Sequence, residues 1–134
     1  MISTKYTVRI YYRDIDQMGV VYYAHYFEYF EAARTELLRT IGLEVRHIEE
    51  NGYFLPVLES NCKYKNGARF DDVIEVEAIL AEKPEFKVRI DYKIRLKGSE
   101  QEIAEGYTIH VFTRQKDGKP VRVPFKFSQN FENV

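Results

Sequence analysis

The chain carries one cysteine, Cys62, and that is all it offers for thiol chemistry. One thiol cannot close an intramolecular disulfide, and without a second cysteine a structural zinc site is not expected. Cys62 is read as a buried structural thiol rather than a nucleophile. An excess of either charge is also missing: 20 Lys and Arg stand against 21 Asp and Glu, a formal charge of -1. With the signs intermixed there is no basic face for nucleic acid and no acidic tail. Apolar runs long enough to cross a bilayer do not occur, and Met1 to Thr7 lacks the apolar stretch of a signal peptide. The expected compartment is therefore the cytoplasm, without membrane insertion. No repeat and no linker divides the sequence, so residues 1–134 are expected to form one domain around a single core.

What the chain does have is periodicity. Tyr6, Val8, Ile10 and Tyr12 alternate with Thr7, Arg9 and Tyr11, the spacing of a half-buried strand. From Tyr23 to Ile41, positions Tyr26, Phe27, Phe30, Ala33, Leu37, Leu38 and Ile41 recur at helical spacing and predict about five turns, stopped by Gly42. Beyond Gly52 the pattern changes to strands: Leu55 to Lys65, Val73 to Leu80, Phe86 to Leu96 and Ile103 to Thr113. Lys97-Gly98-Ser99 reads as a turn, and Lys116-Asp117-Gly118-Lys119 as a hairpin into Pro120 to Val123. One long helix and five or six mostly antiparallel strands predict an α+β domain whose sheet curls around the helix, since only one helix is available to cover it. Edge strands and the mouth of the helix remain as surfaces for self-association, so a homo-oligomer is expected.

The densest chemistry lies between Tyr12 and Tyr26, where carboxylates and a turn glycine, Gly19, immediately precede the long helix. A carboxylate can serve as base or nucleophile on a carbonyl, and the unpaired N–H groups of a first helical turn can hold the oxyanion that develops. None of Val20, Val21, Tyr22 and Tyr23 is a Ser, Thr, Asp or Asn, so no local side chain caps those N–H groups. They are either kept for a ligand or capped from a distance.

The run Tyr12-x-Asp14-x-Asp16-x-x-Gly19-Val20-Val21-Tyr22-Tyr23, continued by Tyr26 and Phe30-Glu31-x-Ala33-Arg34-x-Glu36 and closed by Gly42-Leu43, resembles the hotdog-fold acyl-CoA thioesterases of the 4-hydroxybenzoyl-CoA thioesterase type, including the Tol-Pal-associated bacterial enzymes. Tyr64 followed by Ala68-Arg69-Phe70-Asp71-Asp72 extends the likeness. The resemblance implies a hotdog fold assembled as a homodimer or homotetramer, with active sites between subunits and neither metal nor cofactor. It implies Asp16 as the catalytic carboxylate and the Tyr23 N–H as the donor that polarises the thioester carbonyl of an acyl-CoA substrate. Many members carry His where this chain has Tyr23 and a small polar residue where it has His25. The family's turn proline is Gly67 here, and the paired arginines that some members use for nucleotide phosphates fall on Pro84-Glu85.

Around that pair, Gly19 is expected to permit a tight entry into the helix, where a side chain would also obstruct the thioester. Tyr12, at the strand end, and His25, in the first helical turn, could each face the substrate or simply pack. Asp14, Asp16's neighbour but one, is assigned a structural role on the opposite side of the extended chain. Glu31 and Arg34 are expected to pair at i,i+3. Lys83 and Lys87 are candidates for the CoA phosphates, although isolated lysines are ordinarily solvated surface. His47 and His110 have no partner motif and are expected to stay out of the chemistry. The alternatives to hydrolysis are an enoyl-thioester hydratase, which pairs His with an acid, and a non-catalytic acyl-thioester binding module.

Overall fold

The computed structural model describes all residues, 1–134. Its longest helix, α1 (His25–Thr40), buries Tyr26, Tyr29, Phe30, Ala33, Leu37 and Leu38, one stripe at helical spacing. Five long strands wrap it: β1 (Ile2–Arg9), β3 (Val57–Tyr64), β4 (Val73–Leu80), β5 (Lys87–Leu96) and β6 (Glu102–Arg114). Their spatial order is β1-β4-β5-β6-β3, with every neighbour antiparallel. Two-residue strands, β2 (Tyr53–Phe54) and β7 (Pro120–Val121), pair with the last residues of β6. No helix is long and apolar enough to cross a membrane.

The alternation read from the sequence sorts the faces as expected. In β4 and β5, Ile74, Val76, Ala78, Leu80, Val88, Ile90, Tyr92 and Ile94 are buried against the helix side, and the residues between them are half-buried or exposed. Phe30 lies flat on Tyr92, ring centroids 4.2 Å apart at 10°. Gly106 of β6, opposite both Tyr92 and Cys62, leaves the space in which the Phe30 ring sits.

Two expectations are corrected. The first strand runs from Ile2 to Arg9 rather than on to Tyr12. Ile10 and the Asp71–Asp72 turn then exchange backbone hydrogen bonds as the chain turns away, and Tyr12–Asp14 form one turn of 3-10 helix. The long helix is not the sheet's only cover: α2 (Val45–Glu50) buries Ile48, and α3 (Phe125–Ser128) with the 3-10 turn Gln129–Phe131 buries Phe127 and Phe131 completely. Phe127 stacks on Phe112 and meets Tyr53 and His47 edge-on. These elements are too short to show a period, which is why composition alone passes over them.

Inside the sheet a chain of hydrogen bonds ends on a neutral histidine. Arg34 Nη1 donates to Tyr92 Oη (3.2 Å), and the Tyr92 and Thr108 hydroxyls lie 2.6 Å apart. Thr108 in turn lies 2.8 Å from His110 Nε2, and His110 Nδ1 faces the Leu55 carbonyl at 3.4 Å. With Nδ1 protonated every group is satisfied and all donors run in one direction. Burial, reinforced by the Arg34 charge, pushes the His110 imidazole down to about 4.

Because the unfolded chain takes up this proton near pH 6.5 and the folded protein only near 4, stability present above pH 6.5 is lost as the pH falls through that window. The loss is about 3 kcal/mol. Urea unfolding of wild type and His110→Gln between pH 7 and 4 checks this. The difference between the two should shrink in wild type's disfavour as the pH drops, and parallel curves would refute it.

Candidate active site

The segment joining β1 to α1 is pinned at both ends. Asp16 N–H donates to the Val20 carbonyl (2.9 Å) and Gly19 N–H to the Asp16 carbonyl (3.0 Å), closing a small loop over an Ile15–Val21 bridge. Gly19 sits at φ +81°, a left-handed position at which a side chain is strained, in keeping with the turn role expected of it. Val21 is buried and donates to the Ala68 carbonyl (2.9 Å), while Tyr22 N–H donates to the carbonyl of Asp14 (2.9 Å). Asp14 thus holds the loop through its backbone, and its carboxylate also accepts from Tyr11 N–H (3.4 Å). The structural role holds, although the chain there is a 3-10 turn rather than extended.

At the start of α1 the local hydrogen bonds begin late. His25, Tyr26 and Phe27 donate to the carbonyls of Tyr22, Tyr23 and Ala24, whereas the N–H groups of Tyr23 and Ala24 find no acceptor in the chain. No side chain caps them. Tyr64 instead ties down the carbonyl of Tyr23, to which its hydroxyl donates (3.2 Å). The helix start is thereby positioned without its donors being consumed.

Both features open on one cleft of about 260 Å³ whose lining includes Asp16, Val21, Tyr23, Tyr26 and Tyr64. Asp16 is half-buried. Its Oδ1 accepts from Met18 N–H (2.8 Å), the turn-capping bond that Asp commonly makes, and its second oxygen has no partner in the chain. One oxygen therefore orients the carboxylate and the other is left unengaged. Tyr26 and Tyr64 meet edge-on at 5.5 Å behind it. Burial raises both phenols, that of Tyr64 to about 12, so they are neutral walls near pH 7. Lys65 also lines the cleft, but its charge is engaged by Glu102 (2.8 Å) and Glu105 (3.4 Å).

Of the residues singled out from the sequence, Asp16 and Tyr23 come together and several others do not. Tyr12 is 77% exposed with its ring edge-on to Phe70, outside the cleft. His25 is likewise outside, its Nδ1 bonded to the Glu28 carboxylate and its ring against Tyr22. Lys83 and Lys87 share a cavity at the β4–β5 turn. That is the far end of β4 from the loop at Ala68, about 26 Å for eight residues, so within one protomer they do not join Asp16. Cys62 is half-buried and burial pushes its thiol up to about 11, as befits a structural thiol.

The residues the sequence reading left out of the site are Tyr64, Lys65, Asn66 and Gly67, which close the cleft from the end of β3. A Cβ at Gly67 would stand 2.4 Å from Val20 Cγ1, so glycine there lets the two segments touch. The signal available was the Tyr64 to Asp72 likeness, which spans these positions without saying that they fold onto Tyr23.

Comparison with known proteins agrees with this architecture. A crystal structure of a hypothetical protein from Thermus thermophilus superposes with a TM-score of 0.88 at 31% identity, covering 97% of this chain and 98% of that one. A 1,4-dihydroxy-2-naphthoyl-CoA thioesterase from Synechocystis shares the fold with a TM-score of 0.85 at 21% identity, covering 98% of each chain. The acyl-CoA thioesterase YbgC of Haemophilus influenzae is 40% identical over 78 residues, 58% of this chain and 57% of that protein. Residues 10–131 match the thioesterase-like superfamily as a unit, and the chain is a hotdog-fold member of that superfamily.

Proposed function

We propose that the protein hydrolyses the thioester of a small or medium acyl-CoA, aliphatic or aromatic, to the free acid and CoA. The observation that carries this reading is the shared cleft, lined by both Asp16, which keeps an unpartnered carboxylate oxygen, and Tyr23, whose N–H is unpartnered. In this reading Asp16 either removes the proton from an attacking water or attacks the thioester carbon itself. Negative charge then collects on the carbonyl oxygen. The Tyr23 N–H, with the positive end of α1 behind it, meets that charge, and one such donor is worth about 3 kcal/mol of barrier. Collapse of the tetrahedral species expels the CoA thiolate, which takes up a proton; by the nucleophilic route it leaves a mixed anhydride on Asp16, which a water then cleaves to release the acid and restore the carboxylate.

Hydration of an enoyl thioester would need a His and an acid over the substrate, and here His25 and Glu28 pair with each other outside the cleft. Hydrolysis is the better reading for that reason. A second copy of the chain, paired at an exposed edge of the sheet, is also part of the proposal, because Lys83 and Lys87 could reach a CoA bound at Asp16 only from another protomer. The test is free-thiol release from short, medium, long and aromatic acyl-CoAs, corrected for Cys62. Turnover on part of that panel is expected, and no hydrolysis of any member would sink the proposal.

A further inference from the structure

Ten arginines are present, and only Arg34 and Arg95 are half-buried, the other eight being exposed. Arg95 is paired with Glu77 at 3.5 Å. Arg34 has no carboxylate within 4.0 Å and makes one side-chain hydrogen bond, to Tyr92. The pairing with Glu31 suggested by their spacing does not form. A half-buried guanidinium with most of its donors unused is open to a partner, and it is answered best by the two oxygens of a carboxylate.

Arg34 opens on a cavity of about 360 Å³ between α1, α2 and the segment after β2. This volume falls within the ~300–1,000 Å³ of small-molecule sites. Leu38, Val45, Ile48, Phe54 and Leu55 supply an apolar wall. Glu31 and Glu49 also line it, and both are exposed. The cavity shares no lining residue with the Asp16 cleft, and Arg34 stands eight residues, about 12 Å, along α1 from Tyr26 of that cleft, so the two are separate in one protomer.

We propose that this cavity binds a carboxylate carried on an apolar body, the head group on Arg34 and the body against Val45, Ile48 and Phe54. Two molecules offer that chemistry: a free medium-chain carboxylic acid, or the distal carboxylate of an acyl chain whose thioester lies in the cleft of a second copy. The binding site goes beyond the hydrolase reading and stands without it.

Calorimetric titration with octanoate and, as an uncharged control of the same length, octan-1-ol tests the site directly. Wild type is expected to bind octanoate at least about tenfold more tightly than the alcohol. Arg34→Gln should abolish that preference while the alcohol's weak binding persists. Val45→Trp, which puts a large ring on the apolar wall and keeps Arg34, should weaken both ligands. Circular dichroism confirms that each variant is folded.

Hydrolysis of adipyl-CoA against hexanoyl-CoA separates the two sources. A ratio of kcat/KM values that falls at least about tenfold in Arg34→Gln identifies the distal carboxylate of an acyl chain. An unchanged ratio, with octanoate binding still dependent on Arg34, identifies the free acid. Equal binding of octanoate and octanol, no binding of either up to about 10 mM, or octanoate binding that survives Arg34→Gln would each overturn the proposal. An enzyme inactive on every thioester would leave the calorimetric result intact, so failure of the hydrolase reading is distinguishable from failure of this one.

Discussion

Asp16→Asn should lower kcat on the best acyl-CoA by about three orders of magnitude or more, with the fold and CoA binding retained. The substitution is a clean probe because of how the carboxylate is held. Oδ1 accepts from Met18 N–H, a bond that an Asn carbonyl oxygen can reproduce, so the loop keeps its shape. What changes is the unpartnered oxygen, which becomes an amide nitrogen that neither accepts a proton nor attacks a carbonyl. The Tyr23 and Ala24 N–H groups remain, so residual turnover above the uncatalysed rate is expected from the oxyanion site alone. Steady-state kinetics with a thermal melt of the same preparation decides the matter. A variant that keeps more than about a tenth of wild-type kcat would remove Asp16 from the chemistry. One that melts far below wild type would show Asp16 to be a structural capping residue instead.

The second large effect concerns stability and arises where no catalytic residue is involved. Gly106→Ala is expected to cost at least about 3 kcal/mol and to lower the melting temperature by roughly 10 °C. A Cβ at Gly106 would fall 2.0 Å from the Asn61 carbonyl oxygen and 3.0 Å from Phe30 Cε2. Neither neighbour can move cheaply. The carbonyl belongs to the neighbouring strand β3, and the Phe30 ring is stacked on Tyr92 at the centre of the core. Gly118 supplies the contrast: it lies at φ +69° with nothing within 4 Å of where a Cβ would stand, so Gly118→Ala should cost only about 1–2 kcal/mol of backbone strain. If Gly106→Ala melts no lower than Gly118→Ala, the close approach of helix and sheet at this point is wrong.

How far the sequence carries can be followed residue by residue. Alternation determined β4 and β5 nearly to their ends, because a half-buried strand must switch face at every residue and Val73 to Leu96 does so without interruption save at one turn. The stripe from Tyr26 to Leu38 determined α1 in the same way, and Gly42, at φ +75°, marks where the chain leaves it. The pairing of a carboxylate with an uncapped helix start was also legible, since Asp16 and Tyr23 are seven residues apart and a tight loop at Gly19 brings them to one place.

What lay beyond the sequence depends on contacts between residues far apart in the chain, for which no local period exists. Tyr64 reaches Tyr23 across 41 positions, and Asn130 donates to the Ile41 carbonyl across 89. The helices α2 and α3 are too short to hold a shape by themselves and exist because Ile48, Phe127 and Phe131 find a core to enter. Arg34 shows the division most plainly. Its spacing from Glu31 suits a helical ion pair, yet tertiary packing turns the guanidinium inward to Tyr92 and leaves it beside a cavity. An exposed i,i+3 pair is worth only a few tenths of a kcal/mol, so a partly buried hydrogen bond is enough to decide the conformation. Local patterns therefore determined the long strands, α1 and the loop that sets Asp16 beside the helix start, while the folded interior alone decided that the short helices form, which side chains meet that carboxylate and which face elsewhere.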